Sequence, residues 1–335
     1  VGVVRSERDV VWKGHSVDIV TAKRLVGRLK GPIAFVVPSD GGTFVDGTVR
    51  WLRERPQDPF TISESRAILH EAHVRALETL RQHEMPIEML ASCGIAIRET
   101  TIDGNRVINP VGFSGRTVAV TFSETFLSAG FAACFEEFRR AFARRMLRGY
   151  AVDEVALRTF LALRAEPTDA FVFLDAAFTV IMTLEGENVR SRKVLAVGEE
   201  SANAALMRSL NLPSRNEAER LREEASDASK DPRVRRRVER ALAPFAILWA
   251  QGVSAALSSL EKEAFRLTIV FTDRLLPPFL RMLTPTVFRK LSPRFRNAEL
   301  STISLGELLD LPETMDLLAI AASRRISAEE VLFLS

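Results

Sequence analysis

Asp175 and Thr179 are the residues whose types and spacing come nearest to a chemistry. They lie between two apolar runs, Phe171-Val172-Phe173-Leu174 and Val180-Ile181-Met182, so a strand, a short turn and a second strand are expected over 170–184. A carboxylate at such an apex can hold a Mg²⁺-bound water, and a hydroxyl beside it can donate to a phosphate. Phosphate also needs backbone amides at close range, which glycine permits. The turn here, Asp175-Ala176-Ala177-Phe178, has no glycine. With no ligand, Asp175 caps a strand-end turn through local backbone bonds, and Thr179 is an ordinary β-branched strand residue.

Other reactive side chains form weaker patterns. His70 and His73 share a helical face, with Glu71 between them and His83 beyond. A metal site needs a third ligand and an orienting partner, so solvated helix residues are the expectation. Four histidines, none beside a nucleophile elbow, build no Ser-His-Asp or Cys-His arrangement. Cys93 and Cys134 are too far apart for a CxxC pair, and two cysteines make no disulfide framework, which fits a reducing setting.

Two arginine runs stand out: Arg233, Arg235, Arg236, Arg237 and Arg240, and Arg139, Arg140, Arg144, Arg145 and Arg148. The first alternates with Val234, Val238 and Leu242 and the second with Phe135, Phe138 and Phe142, so each is expected to be mostly a solvated helix face. Anionic lipid is the alternative ligand. Nucleic acid is disfavoured, because few aromatics are left over for base stacking. Residues 278–283 and 286–291 combine apolar and basic side chains, but Pro285 splits them and core packing is expected.

The elements that must position these residues alternate between strand and helix. With 335 residues, 47% hydrophobic and 27% charged, the chain has room for two α/β domains and is too apolar for disorder. A net charge of +3 selects no partner, and no apolar run is long enough to span a membrane. Strands are expected at 33–37, 45–54, 88–98, 100–108, 117–122, 154–156, 194–197 and 267–272, besides the hairpin. Helices are expected at 21–30, 63–83, 128–148, 157–165, 200–210, 214–224, 232–260, 278–283 and 316–323, and two short strands at 1–12. Thr61 and Glu64 form a capping box at the start of helix 63–83, whose Ile68, Ala72, Ala76 and Leu80 recur at helical spacing. Asp103-Gly104 marks a tight hairpin turn.

The segment Asn109-Pro110-Val111-Gly112-Phe113-Ser114-Gly115 resembles the N-P-V-G-x-S-G segment of bacterial FtsA, an actin-like membrane tether of the division ring. More distantly, the order of elements is similar to PilM of type IV pili. Downstream, Glu217-Ala218-Glu219-Arg220-Leu221-Arg222 is similar to the family's A-E-x-L/I-K/R signature. The resemblance implies an α/β, actin-like ATPase (ribonuclease-H-like) fold of two related domains. The first would be 1–166, with an FtsA-type (SHS2) subdomain inserted at about 32–124. The second would be 167–335, with a helical lobe at about 199–265.

The same resemblance implies departures from an active ATPase. Val1 would start just past the opening phosphate loop. Of the other loop's D-I-G-G-G-T-T-D pattern only Asp175 and Thr179 remain, and Thr272-Asp273-Arg274-Leu275-Leu276 replaces the adenine-side G-G-G-A turn. Mg-ATP is then the one cofactor left open, held by Asp175 and Thr179. What is implied is a cytoplasmic division scaffold, peripheral at the inner face of the membrane. It would bind the carboxy-terminal peptide of the tubulin-like division protein, with self-association into filaments and indirect membrane association. The amphipathic tail that tethers the family to membrane is not seen before Ser335. The alternatives are a PilM-like adaptor of a type IV pilus or secretion system, and an ATP-binding enzyme of the same superfold.

Overall fold

A computed structural model describes residues 33–37, 39, 41–82, 87–142, 146–163, 167–227, 231–260, 264–271, 277–283, 290 and 297–304. The expectations for 1–12, 21–30, 272–276, 316–323 and, apart from residue 290, 286–291 lie outside these. The chain divides into two compact units, Val1–Val155 with Thr314–Ser335, and Ala156–Glu313.

The first unit contains an antiparallel sheet of four strands, β2 (Gly42–Leu52), β3 (Leu90–Ile102), β4 (Asn105–Val107) and β5 (Thr117–Ser128), in the order β2-β5-β3-β4. Helix α1 (Ile62–Gln82) covers one face, burying Ile68, Ala72, Ala76 and Leu80 against Val45, Val49, Val118, Val120, Phe122 and Phe126. The capping box forms: Thr61 N donates to Glu64 Oε2 (2.8 Å) and Glu64 N to Thr61 Oγ1 (3.2 Å). Asp103 and Gly104 both take positive φ, 50° and 84°, and turn β3 into β4.

A second, two-stranded parallel sheet pairs β1 (Ile33–Val37) with β6 (Met146–Ala151). Helix α2 (Ala129–Ala141) packs Phe135 and Phe138 into a cluster with Phe35, Val37, Cys93 and Leu127. The helix expected over 128–148 is therefore shorter, and the strand expected at 154–156 is replaced by β6. Gly149 explains the choice. A Cβ there would lie 2.6 Å from Cys93 Sγ, so this glycine lets β6 pass close to β3, a tertiary fit that helical propensity does not register. Residues 154–156 belong instead to α3 (Val152–Leu163), within which the two units divide. At its start Glu154 is fully buried and accepts from Ser123 Oγ (2.9 Å) and Thr125 Oγ1 (2.8 Å).

The second unit is built on a five-stranded sheet in the order β11-β10-β7-β8-β9. Strands β7 (Ala170–Leu174), β8 (Thr179–Glu185) and β9 (Asn188–Leu195) form an antiparallel meander, and β10 (Ala264–Phe271) and β11 (Asn297–Ser304) run parallel to β7. In chain order that is 3-2-1-4-5 with the second strand reversed, the ribonuclease-H-like arrangement. Ala170, Val172 and Leu174 face a helical lobe, while Phe171 on the other face meets Phe160 of α3. The lobe comprises α4 (Glu199–Leu210), α5 (Arg215–Ser226), α6 (Pro232–Ala256) and the short α7 (Pro278–Met282). Trp249 and Phe245 of α6 meet the Phe279 ring edge-on at 5.6 Å and 5.1 Å.

Candidate functional site

Among the described residues three places combine chemistry with exposure, the first of them the hairpin apex between β7 and β8. Asp175 N donates to Phe178 O (2.9 Å), and Asp175 Oδ1 accepts from Ala176 N (2.7 Å). The amino terminus of α4 abuts the apex. Glu199 N donates to Asp175 O (3.1 Å) and Glu200 N to Ala176 O (2.8 Å), so two amides that a helix start would offer an anion are taken by hairpin carbonyls. Gly198 allows this contact, since a Cβ there would fall 2.5 Å from Asp175 O and 2.6 Å from Ala176 O. Thr179 points inward and is fully buried. Its hydroxyl donates to Val197 O (2.5 Å) and accepts from Trp249 Nε1 (2.9 Å). The structure thus keeps Asp175 at the half-exposed apex and places Thr179 in the core behind it.

The second place is the segment 109–115. Val111 N donates to the Asn109 side chain (3.0 Å), Phe113 N to Pro110 O (3.1 Å), and Gly112 sits at φ +92°. Gly112 N and Phe60 O (2.9 Å), with Phe60 N and Phe113 O (2.7 Å), tie the segment to the loop ahead of α1. Arg53 locks the junction. Its guanidinium takes both Glu64 oxygens (2.8 and 3.2 Å) and donates to Asp58 O (3.0 Å) and Gly115 O (3.1 Å), over the Phe60 ring. That bond is the main cause holding the Glu64 carboxyl below its ordinary range. Around the junction Ile62, Ile108, Val111 and Phe113 are exposed, Ile108 by 75% and Phe113 by 54%. Arg53 carried no sequence signal beyond its neighbour Glu64 in the capping box.

The third place is the amino-terminal half of α6. A groove of about 500 Å³ lies between Ser209 and Leu210 at the end of α4 and Arg233, Arg236, Arg237 and Arg240 of α6. Ser209 Oγ donates to Ala241 O (3.3 Å) across its floor. The other arginine cluster lies partly outside the described residues, and within it Arg139 pairs with Glu136 (2.8 Å).

The histidines are not gathered. His73 Nδ1 bonds the fully buried Glu124 at Oε1 (2.7 Å), Glu71 pairs with Arg75 (2.9 Å), and His83 lies outside the described residues. Among the described residues no group of three His, Cys, Asp or Glu side chains could hold a metal ion. None of the described helices is long and apolar enough to cross a membrane.

No protein-family profile matches the sequence, and no curated protein matches it either. Solved structures similar to the chain include the following three. A PilM–PilN type IV pilus biogenesis complex is 16% identical, spanning 94% of this chain and 83% of that one, with a TM-score of 0.49. The ethanolamine utilization protein EutJ of Carboxydothermus hydrogenoformans is 17% identical over 57% of this chain and 61% of its own, at 0.39. Component A of the Acidaminococcus fermentans (R)-2-hydroxyglutaryl-CoA dehydratase is 9% identical over 55% and 71%, at 0.31. At these identities and scores none of them bears on what this chain binds or does.

Proposed function

We propose that this chain is an actin-like adaptor of two related domains, with the four-stranded subdomain inserted in the first, which holds a peptide of a partner protein and does not turn over ATP. The observation that carries this is the hairpin apex at 175–178. It has no glycine, its carbonyls occupy two amides at the start of α4, and its threonine hydroxyl is committed to Val197 and Trp249. A phosphate would find there neither the amides nor the hydroxyl. Partner binding falls to the exposed apolar junction of Ile62, Ile108, Val111 and Phe113, where apolar anchors of a peptide meet a surface fixed from beneath by Arg53.

The adaptor is of the pilus or secretion type, taking a cytoplasmic peptide of an inner-membrane protein. A division scaffold that takes the tubulin-like protein's acidic tail on the lobe is the second reading, favoured by the arginine groove of α6. Fluorescence anisotropy of the full chain with each labelled peptide, with and without Mg-ATP, separates them. The expected result is binding of the inner-membrane peptide without ATP, weakened at least about tenfold by Phe113→Asp with Ile108→Asp. Tail binding alone moves the chain to the division branch. Binding that requires Mg-ATP, or ATP turnover, overturns the adaptor reading.

A further inference from the structure

Helix α6 carries its charge at the wrong end. The amino terminus of a helix is the positive pole of its dipole and favours acids; α6 has a single one there, the cap Asp231, whose carboxylate accepts from Arg233 N (2.8 Å), and arginines follow at 233, 235, 236, 237 and 240. Only Arg235 has a structural task in view: it donates to Asp227 O (3.3 Å) and lies near Arg281, whose pKa is lowered first by burial and then by the Arg235 charge. The other four point outward along the groove, and none pairs with an acid among the described residues. Acids are at hand in the same lobe, where Arg215 holds both Glu200 (2.9 Å) and Glu219 (2.7 Å). One capping carboxylate does not balance five arginines, and the surplus of positive charge at the positive pole favours an anionic ligand.

The exposed face does not end with the arginines. At 100° per residue Pro244, Ile247 and Leu248 fall on the same side of the helix, and Ile247 and Leu248 are 45% and 67% exposed. From Arg233 to Leu248 the face runs about 22 Å. The groove lining stops at Ala241, so Ile247 and Leu248 protrude beyond it. That distinguishes the possible occupants. A peptide's apolar anchors need pockets to enter, and nucleic acid offers nothing to protruding aliphatic side chains. A bilayer interface takes both features, phosphates at the arginine forks and apolar side chains at the boundary between headgroups and acyl chains.

We infer that α6 is a membrane-contact helix. Its groove holds headgroup phosphates of anionic lipid between Arg233, Arg236, Arg237 and Arg240, while Ile247 and Leu248 enter the interface beside them. The contact is peripheral and stands independently of the adaptor reading, because it is measured without a partner.

Co-flotation of the full chain with phosphatidylcholine vesicles, with and without phosphatidylglycerol, tests it. Binding is expected only with phosphatidylglycerol, and is expected to weaken as salt screens it. Each of the four arginines changed to Gln lowers the partition about fivefold, and the four together abolish it. Ile247→Ser with Leu248→Ser lowers it while leaving the salt dependence in place. Circular dichroism should be unchanged, since all six side chains are exposed, and the arginine variants should melt no lower than the wild type, since they remove positive charge from the positive pole of the helix. Absence of binding to anionic vesicles, or binding indifferent to both sets of variants, overturns the inference. Capture of a poly-glutamate peptide in the groove without vesicle binding also overturns it and assigns the groove to an acidic protein tail.

Discussion

The indole Nε1 of Trp249 donates to Thr179 Oγ1 across 2.9 Å, joining the middle of α6 to the first residue of β8 inside the core of the second unit. The same hydroxyl donates to Val197 O, which precedes α4, so one threonine ties the hairpin, the lobe's first helix and its longest helix together. Thr179→Val keeps the shape and removes both bonds, leaving a buried indole N–H and a carbonyl unmatched. The expected cost is about 2–3 kcal/mol in denaturant unfolding, with Thr179→Ser recovering most of it. In the wild type, saturating Mg-ATP should leave the melting temperature unchanged. A ligand-induced rise that Thr179→Val abolished would show that the hydroxyl serves phosphate after all.

Gly198 and Asp175 are in closer contact than any side chain permits. Gly198→Ala sets a Cβ 2.5–2.6 Å from three backbone atoms of the hairpin apex. Backbone cannot swing aside as a long side chain can, so the helix start and the apex must part. The substitution should destabilise by about 1–3 kcal/mol. Hydrogen exchange at the Glu199 and Glu200 amides should rise in parallel, since these are the bonds that break.

Glu64 and Arg53 couple the junction under the segment 109–115 to pH. The Glu64 carboxyl is held below its ordinary 4.5, first by the Arg53 hydrogen bond, against a smaller opposing effect of burial. A carboxyl depressed in the folded state contributes stability above its unfolded pKa, and that contribution is lost as pH falls through the folded value. Wild-type stability should therefore drop as the solution is acidified below about 4.5. Glu64→Gln should flatten that portion of the profile and lower stability at neutral pH by about 1–2 kcal/mol. An unchanged acid limb in the Gln variant would remove Glu64 as the cause.

Much of the architecture was readable wherever a period ran unbroken. The positions 68, 72, 76 and 80 and the capping box located α1, and the paired apolar runs around 175–178 located the β7–β8 hairpin. What failed to show depended on tertiary fit. β6 is a strand because Gly149 admits Cys93, and β11 is a polar edge strand with little apolar alternation to announce it. The candidate sites were legible by type rather than by role. Asp175 and Thr179 stand where the spacing puts them, but which way the Thr179 hydroxyl points is decided by Trp249, 70 residues away in sequence. The arginines of α6 were visible as a run, and only the helix phase shows that Arg235 turns inward while the other four share a face with Ile247 and Leu248.

Glu124 interrupts the apolar pattern of the strand that holds it. In β5 the side chains of Val118, Val120, Phe122 and Phe126 alternate into the core under α1, and Glu124 occupies the same register. An acid there ends an apolar alternation on paper, which is why a strand ending at Phe122 was expected while the strand continues to Ser128. The carboxylate is fully buried; its Oε1 is met by His73 Nδ1 (2.7 Å) and Ser92 Oγ (2.6 Å), and its Oε2 has no partner among the described residues. A carboxylate so placed is costly, and an apolar replacement of similar size removes that cost. His73 and Ser92 both reach solvent, so they stay satisfied without it. Glu124→Leu should therefore be neutral or stabilising by about 1–4 kcal/mol, whereas His73→Ala should destabilise by about 1.5–3 kcal/mol, because the carboxylate then keeps only Ser92. Unfolding of both variants in denaturant measures the two signs directly. A destabilised Glu124→Leu would mean that the buried acid holds β5 in register against α1.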